Sequence, residues 1–513
     1  MILPSLRSCW ALVPFILTIF TLTLYTIRRP LLATYTAYRP PPPSGAEPVD
    51  EGPSIIYKPP KPSPPPPLGE YFPLAASART PADLPPVPSW NKPPAPHVPE
   101  STRLYIGFTR YWPLLQQVVV GYITAGWPPE DIYVVENTGT FDANKNGLLT
   151  SQNPFYLDYH RLIELFGVNV ITTPSLQTFA QLQNLYLSEA INNNLTHYFW
   201  AHMDTVPQSH EDIQPYKSLY AIAVDVIRES FSPKYEPHDR WAVRFFSYDW
   251  LALVNVKAYV KVGGWDTMIG YYGTDCDMHG RFALNGLETP IADAGQVFDV
   301  GRSLDDLEVL YRRRKKAKAE RGAEEEKTVV TVGEHGKVTI GEPKNSTAAA
   351  STPKQPTAPE NLKYFSSTEE DTLGGRGWTA LQTTLESLAD EKRKDPYRNS
   401  WQLKQSGGKG EPFYYDADGW EKALQLTIAA GVEVYEQKWG HKGCDIQHVG
   451  LKEGDQWMVE KDNTWACEKD GGKRKCKERG EDDTRILSGH GMIKGTLSID
   501  ESNYGQRTIS MSM

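Results

Sequence analysis

The chain has 513 residues, and 54 Lys and Arg stand against 63 Asp and Glu, a formal charge of −9. That length allows roughly two to four domains, and the acidic balance excludes the basic stripe typical of nucleic-acid binders, so no nucleic-acid partner is expected. Five cysteines are too few for a small disulfide scaffold, and 22 of the 41 prolines fall within residues 40–99, which excludes one globular domain over the whole chain.

After a short tail (residues 1–7), residues 8–27 carry no charge and are bounded by Arg7 and by Arg28-Arg29. At ~1.5 Å per residue such a helix spans about 30 Å, the thickness of a bilayer core. Pro14 is tolerated in such a helix, and Trp10 and Tyr25 stand where interfacial aromatics belong. A cleaved signal peptide has a shorter apolar core and a small-residue cleavage site, so an uncleaved transmembrane helix is expected. Arg28, Arg29 and Arg39 taken alone would keep the bulk of the chain in the cytosol. Acceptor sequons at Asn194 and Asn345 point to the lumen. Residues 28–100, with proline runs at 40–43 and 64–67, read as a Pro-rich stem or linker of semi-rigid polyproline character.

Residues 101–305 read as a folded core. The pattern predicts a strand over 103–108, a helix over 112–125, a strand over 131–136, a helix over 155–166, a strand over 168–172, a helix over 178–192 and a strand over 196–201. Strands alternating with helices of this length predict βαβ units and a mainly parallel sheet. Ligands of such sheets bind beyond the carboxyl ends of the strands. That rule singles out Thr109-Arg110, Glu136-Asn137, Thr173-Pro174 and His202-Met203-Asp204. None of the usual glycine-rich phosphate loops or serine elbows stands there. Asp204, an acid directly after a strand, can ligate a divalent cation that neutralises a diphosphate, or it can cap the turn before Val206-Pro207.

A second cluster spans residues 263–286. Gly263-Gly264 allows close backbone approach to a ligand, and Trp265, Tyr271 and Tyr272 offer flat faces that pack on sugar rings. Asp275 and Asp277 open a helix predicted to run through Leu284, where the helix dipole favours acids. A carboxylate in an aromatic, partly dry pocket is also what a general base requires.

In this order the segments resemble the family-2-like glycosyltransferases of the GT-A fold, in a single-span membrane form. Val134-Val135-Glu136-Asn137 is similar to the family's VVDN strand end, and the helix through Asn184 to its helix ending in Arg-Asn. The strand running into His202-Met203-Asp204 stands where the family has Asp-x-Asp. Gly264-Trp265-Asp266 resembles its GGFD loop, and Thr274-Asp275-Cys276-Asp277 with Arg281 and Gly286 its ED-x-D element. The resemblance implies an α/β fold with a Rossmann-like mixed, mostly parallel sheet and flanking helices. It implies an enzyme that moves a sugar from a nucleotide-sugar donor to a glycan, protein or lipid acceptor with inversion, dependent on Mn2+ or Mg2+. Asp275 then maps to the catalytic base. Asp277 and Arg281 support it, and Trp265 and Asp266 lie on the acceptor side. Glu136, Asn137 and Asn184 bind the donor nucleotide, and Asp204 and His202 hold the metal. This reading also implies a type II placement in the Golgi or ER with the catalytic domain in the lumen. His202 and Thr274 replace family acids, which keeps open an inactive glycan-binding or scaffold protein of the same fold. A metal-dependent phosphotransferase or hydrolase using Asp204 and Asp275 is the third reading.

Residues 306–375 read as a charged helix and a disordered insertion, because Arg312–Lys316 is followed by Glu324–Glu326 and then by a Lys-, Thr- and Pro-rich stretch. Residues 376–450 regain aromatics and read as the C-terminal part of the catalytic domain. The stretch 435–440 resembles the Y-x-x-KWGG element that closes related transferases. Residues 451–513 read as a disordered tail. Cys276 reads as a packing residue, and Cys467 and Cys476 as a possible pair.

Overall fold

The structure is a computed structural model. It describes residues 69–233, 240–313, 371–396, 399–403 and 405–461, with isolated strands at 329–332, 338–341, 465–470 and 473–477. Seven strands form the main sheet: β1 (Leu104–Phe108), β2 (Ile132–Glu136), β3 (Asn169–Thr172), β4 (His197–Ala201), β6 (Val243–Phe246), β7 (Leu251–Asn255) and β8 (Ile291–Ala292), in the order β3-β2-β1-β4-β7-β6-β8. β7 alone runs against both of its neighbours; the other pairings are parallel. Two further strands, β5 (Thr205–Gln208) and β9 (Gln296–Asp299), form an antiparallel ribbon beside it.

Both faces of the central strands β1, β4 and β7 are buried, which is why these read as mainly apolar runs rather than alternating. Leu104, Ile106 and Phe108 point to one face with Phe199, Leu251 and Leu253. Helices α1 (Trp112–Thr124) and α3 (Leu219–Ser230) cover that face, and α6 (Arg376–Lys394) packs there through Leu381, Leu385 and Leu388. Tyr105, Tyr198, Trp200, Ala252 and Val254 point to the other, covered by α2 (Phe179–Asn192), α4 (Val256–Lys261) and α5 (Thr274–Leu284). Burying one such Leu, Ile or Phe contributes about 1.5–3 kcal/mol. Trp127 is fully buried, meets Phe199 edge-on at 4.9 Å, and satisfies its indole on the Thr102 carbonyl at 2.9 Å. A last helix, α7 (Ala417–Trp439), starts on the Asp416 cap and ends at Gly440 in the left-handed region.

Three expectations change. The helix over 155–166 shrinks to a π-helical turn at Arg161–Leu165. Asn153 and Asn144 accept the N–H groups of Phe155 and Leu157 at 3.0 and 2.9 Å, so side chains take the donors a helix would use. Residues 69–100, expected within the stem, fold onto the domain: Pro73–Ser77 is helical and Phe72 is buried against Phe166 and Tyr311. Strand pairs Val329–Val332/Val338–Gly341 and Trp465–Asp470/Lys473–Lys477 stand in segments expected to be disordered, and the second pair sets Cys467 opposite Cys476.

The single-pass Golgi or ER placement is corrected. No helix among the described residues is long and apolar enough to cross a membrane, and residues 8–27, the expected span, lie outside them. Most of the charged segment after Arg313 and the sequon at Asn345 also lie outside.

Candidate active site

The carboxyl ends of β1 to β4 open at one edge of the sheet. Because β7 is reversed, with Leu251 opposite Ala201, the β6–β7 turn returns to that same edge. Ser247 and Tyr248 adopt positive φ in this turn, which carries Asp249. His202, Asp204 and Asp249 thereby come together. Asp299 joins them because β9 pairs with β5 and sets it opposite Thr205.

Asp204 is buried. Its Oδ2 accepts Lys392 Nζ of α6 at 2.6 Å and Trp401 Nε1 at 3.2 Å. Lys392 also reaches Asp299 Oδ1 at 2.5 Å. Burial works against the Asp204 charge, but the Lys392 ammonium and then His202 outweigh it and hold the carboxyl below its usual range. Lys392 is raised: burial opposes it, and the two carboxylates prevail.

His202 is half-buried, stacks on Phe179 with ring centroids 6.1 Å apart, and stands 3.6 Å from Asp249 Oδ2. Burial lowers its basicity, yet Asp249, with Asp204 and Asp299 further away, raises the imidazole above its ordinary value. Asp275 occupies the first turn of α5, which Gly273 enters at φ 85°. One side of Asp275 opens to solvent, and it makes no ion pair among the described residues. Crowding by protein on the other sides pushes its carboxyl up; His279 one turn on and the Cys276 N–H oppose this, and Asp249 adds to it. His279 is lowered by the same burial, against the pull of Asp275 and Asp249.

The expected acceptor side is rigid. The Asn184 amide clasps the Trp265 backbone, accepting its N–H and donating to its carbonyl, both at 2.8 Å. Gly264 has φ 72°, and a Cβ there would meet Asn184 Oδ1 at 2.8 Å, so the glycine is what permits the clasp. Trp265 meets Phe179 edge-on at 5.4 Å. Asp266 accepts Lys438 Nζ at 2.8 Å. Asp277 is fully buried and saturated: Arg281 (2.8 Å) and Lys438 (2.7 Å) pair with it, and Trp439 Nε1 donates to it at 2.9 Å. Arg281 also donates to the Val262 carbonyl at 2.6 Å. A cavity of about 240 Å³ lies against Gly263, Gly264, Trp265, Asp266, Arg281 and Lys438. Cys276 forms a disulfide with Cys444, correcting its reading as a packing residue and tying α5 to the segment after α7.

On the expected donor side, Glu136 is buried. It accepts Asn144 at 2.6 Å, Thr138 at 3.1 Å and the Tyr159 hydroxyl, so it organises the 137–159 loop. Burial raises its carboxyl and these donors oppose the rise. Asn137 bonds both backbone groups of Gln177, at 2.8 and 2.7 Å, joining the loop after β3 to the end of β2. Glu411 accepts from Thr150 and Asn153 and so closes on this loop. His441 and Asp445 pair with each other at 2.7 Å.

Sequence reasoning missed Asp249, Asp299, His279 and Lys392. Asp249 carried a faint signal, a polar break between two apolar runs. Lys392 carried none, because it stands 188 residues from Asp204 in an ordinary charged helix end.

The metal implied by the resemblance does not fit this donor set. The Lys392 ammonium and the Trp401 indole already engage Asp204, and His202 faces Asp249. No group of three or more His, Cys, Asp or Glu among the described residues is arranged to hold a metal ion.

No protein-family model and no curated protein matches this chain. Among solved structures it is similar to mannosyltransferase PcManGT from Pyrobaculum calidifontis, in complex with GDP-Man and Mn2+, at 14% identity over 40% of this chain and 60% of that one, TM-score 0.26. It is also similar to GalNAc-T7 with UDP, GalNAc and Mn2+ (12%, 41% and 47%, TM-score 0.28). A third is a cytidylyltransferase from Leptospira borgpetersenii serovar Hardjo-bovis (11%, 32% and 63%, TM-score 0.19). Each match spans less than two thirds of the neighbour, and at these values it carries neither activity nor ligand across. What the structure itself shows is a mixed, mostly parallel seven-stranded sheet with helices on both faces.

Proposed function

We propose that this chain is a glycosyltransferase that moves a sugar from a nucleotide-sugar donor to a hydroxyl of a glycan, protein or lipid acceptor, with inversion. The observation that supports this reading most is Asp275, an open carboxylate pushed above its ordinary pKa, close to Asp249 and on the helix after the Trp265 loop. Asp275 takes the proton of the acceptor hydroxyl. The hydroxyl oxygen attacks the anomeric carbon, the bond from that carbon to the diphosphate oxygen breaks, and the nucleoside diphosphate leaves. Glu136 and Asn137 shape the donor side, Asn184 holds the Trp265 loop, Trp265 and Asp266 line the acceptor side, and Asp277 with Arg281 fixes the helix that carries the base. The divalent cation assigned by resemblance to Asp204 and His202 has no step here, because Lys392 already neutralises Asp204.

The test is release of nucleoside diphosphate from UDP- and GDP-sugars by the full-length chain, with and without Mn2+. Asp275→Asn is expected to lower turnover by about 10²–10⁴-fold while donor binding persists. Turnover unchanged in Asp275→Asn would remove the base assignment, and no nucleotide binding by the wild type would remove the transferase reading. One observation favours a second reading, a glycan-binding or scaffold protein of the same fold: two carboxylates and one ammonium leave a net negative charge where a diphosphate would lie. That reading expects glycan binding without nucleoside diphosphate release.

A further inference from the structure

We infer that Asp204 and Asp299 form a two-carboxylate cation site whose cation is the ammonium of Lys392, so that the chain binds no divalent ion there and a latent Mn2+ site lies beneath the lysine. The inference goes beyond sugar transfer and stands whether or not the chain transfers sugar. Three observations carry it. Asp204 and Asp299 meet because one follows β4 and the other closes β9, opposite Thr205 in the ribbon. Both side chains are largely buried, at 11% and 13% exposure, and buried carboxylates require a positive partner. Lys392, itself 3% exposed, reaches both at 2.6 and 2.5 Å, and the Trp401 indole fixes the shared oxygen of Asp204.

The chemistry of the two cations differs. Mn2+ on this pair would be electrically neutral and would keep open coordination positions for further oxygen ligands. The ammonium leaves one net negative charge and offers three N–H donors, two of which the carboxylates take. A lysine on a helix also comes with its backbone. Filling the site with Lys392 therefore docks the C-terminal end of α6 onto the ribbon, which a free ion would not do.

The experiment uses Mn2+ alone as the probe, with free Mn2+ read by electron paramagnetic resonance and the melting temperature read in parallel. Wild type is expected to take up no Mn2+ at this pair, and its melting temperature to be the same in Mn2+ and in EDTA. Lys392→Met, which keeps much of the side-chain volume and removes the charge, should acquire a Mn2+ site and melt a few degrees higher in Mn2+ than in EDTA. Adding Asp204→Asn should abolish both changes. Should Lys392→Met be unfolded in EDTA, recovery of its fold on adding Mn2+ reads the same way. Mn2+ uptake by the wild type that Asp204→Asn removes would overturn the inference. So would a Lys392→Met protein, folded or not, that ignores Mn2+. None of these readouts involves a sugar donor, so failure here is separable from failure of the transferase reading.

Discussion

Asp204 and Asp275 are the same chemical group at the same edge of one sheet, held in opposite conditions. Asp204 is buried, paired with Lys392 and bonded by Trp401, and its charge is stabilised. Asp275 has an open face and no ion pair among the described residues, and its charge is disfavoured by crowding and by Asp249. Two helices make the difference. α6 brings a cation to Asp204. α5 brings Asp275 only its own first-turn N–H groups and a histidine whose charged form burial disfavours. A carboxylate serves as scaffold where the fold completes its partners, and stays available for proton transfer where it does not.

The sharpest way to break this comparison is Asp204→Ala. It leaves Lys392 without one of its two counter-charges in a dry site, and stability is expected to fall by about 3–5 kcal/mol, read by denaturant unfolding. Asp275→Ala is expected to change stability far less and to act on turnover. Equal stability losses would mean that the two carboxylates are not different in kind.

Cys444→Ser tests the anchorage of the open carboxylate. The disulfide closes a separation of 168 residues. Its loss is expected to cost about 2–5 kcal/mol, with thermal unfolding as the readout and turnover showing whether α5 has moved.

The smallest effect is the most diagnostic, because its sign differs between the two sites. The folded Asp204 carboxyl lies below its unfolded value of about 3.9. Its contribution is therefore fully present above that value and is lost as pH falls through the folded one. The folded Asp275 carboxyl lies above the unfolded value, so its ionisation weakens the fold as pH rises from about 4 through the raised value. Asp204→Asn should lower stability at pH 7 and flatten the acid limb of the stability profile. Asp275→Asn should raise stability slightly at pH 7 and leave that limb in place. Effects of the same sign would refute the contrast.

Much of the scaffold was legible because it rests on local rules. β1, β2 and β4 are short apolar runs, and α2 followed from the helical spacing of its apolar residues; the structure adds that Thr178 and Gln181 cap each other's backbone at 3.4 and 2.9 Å. α5 was legible from an acidic first turn after glycine. The turn at 161–165 was misread because Asn144, distant in the loop, takes the N–H of Leu157 and breaks the helical pattern. In the candidate site, Asp204 and Asp275 were legible from their positions after a strand and at a helix start, but their electrical states were not. Asp277 illustrates the limit. The pairing with Arg281 follows from spacing of four on a helix, whereas Lys438 and Trp439 arrive from another helix altogether.

By itself the sequence determined the periodicities, the caps, and which acids stand at strand ends and helix starts, since these depend on residues within a few positions of one another. Only the tertiary structure decided which of those acids receives a cation, which histidine faces which carboxylate, and which cysteine finds a partner. Burial and charge pairing act through space, and Lys392 reaches Asp204 across 188 positions that leave no local trace.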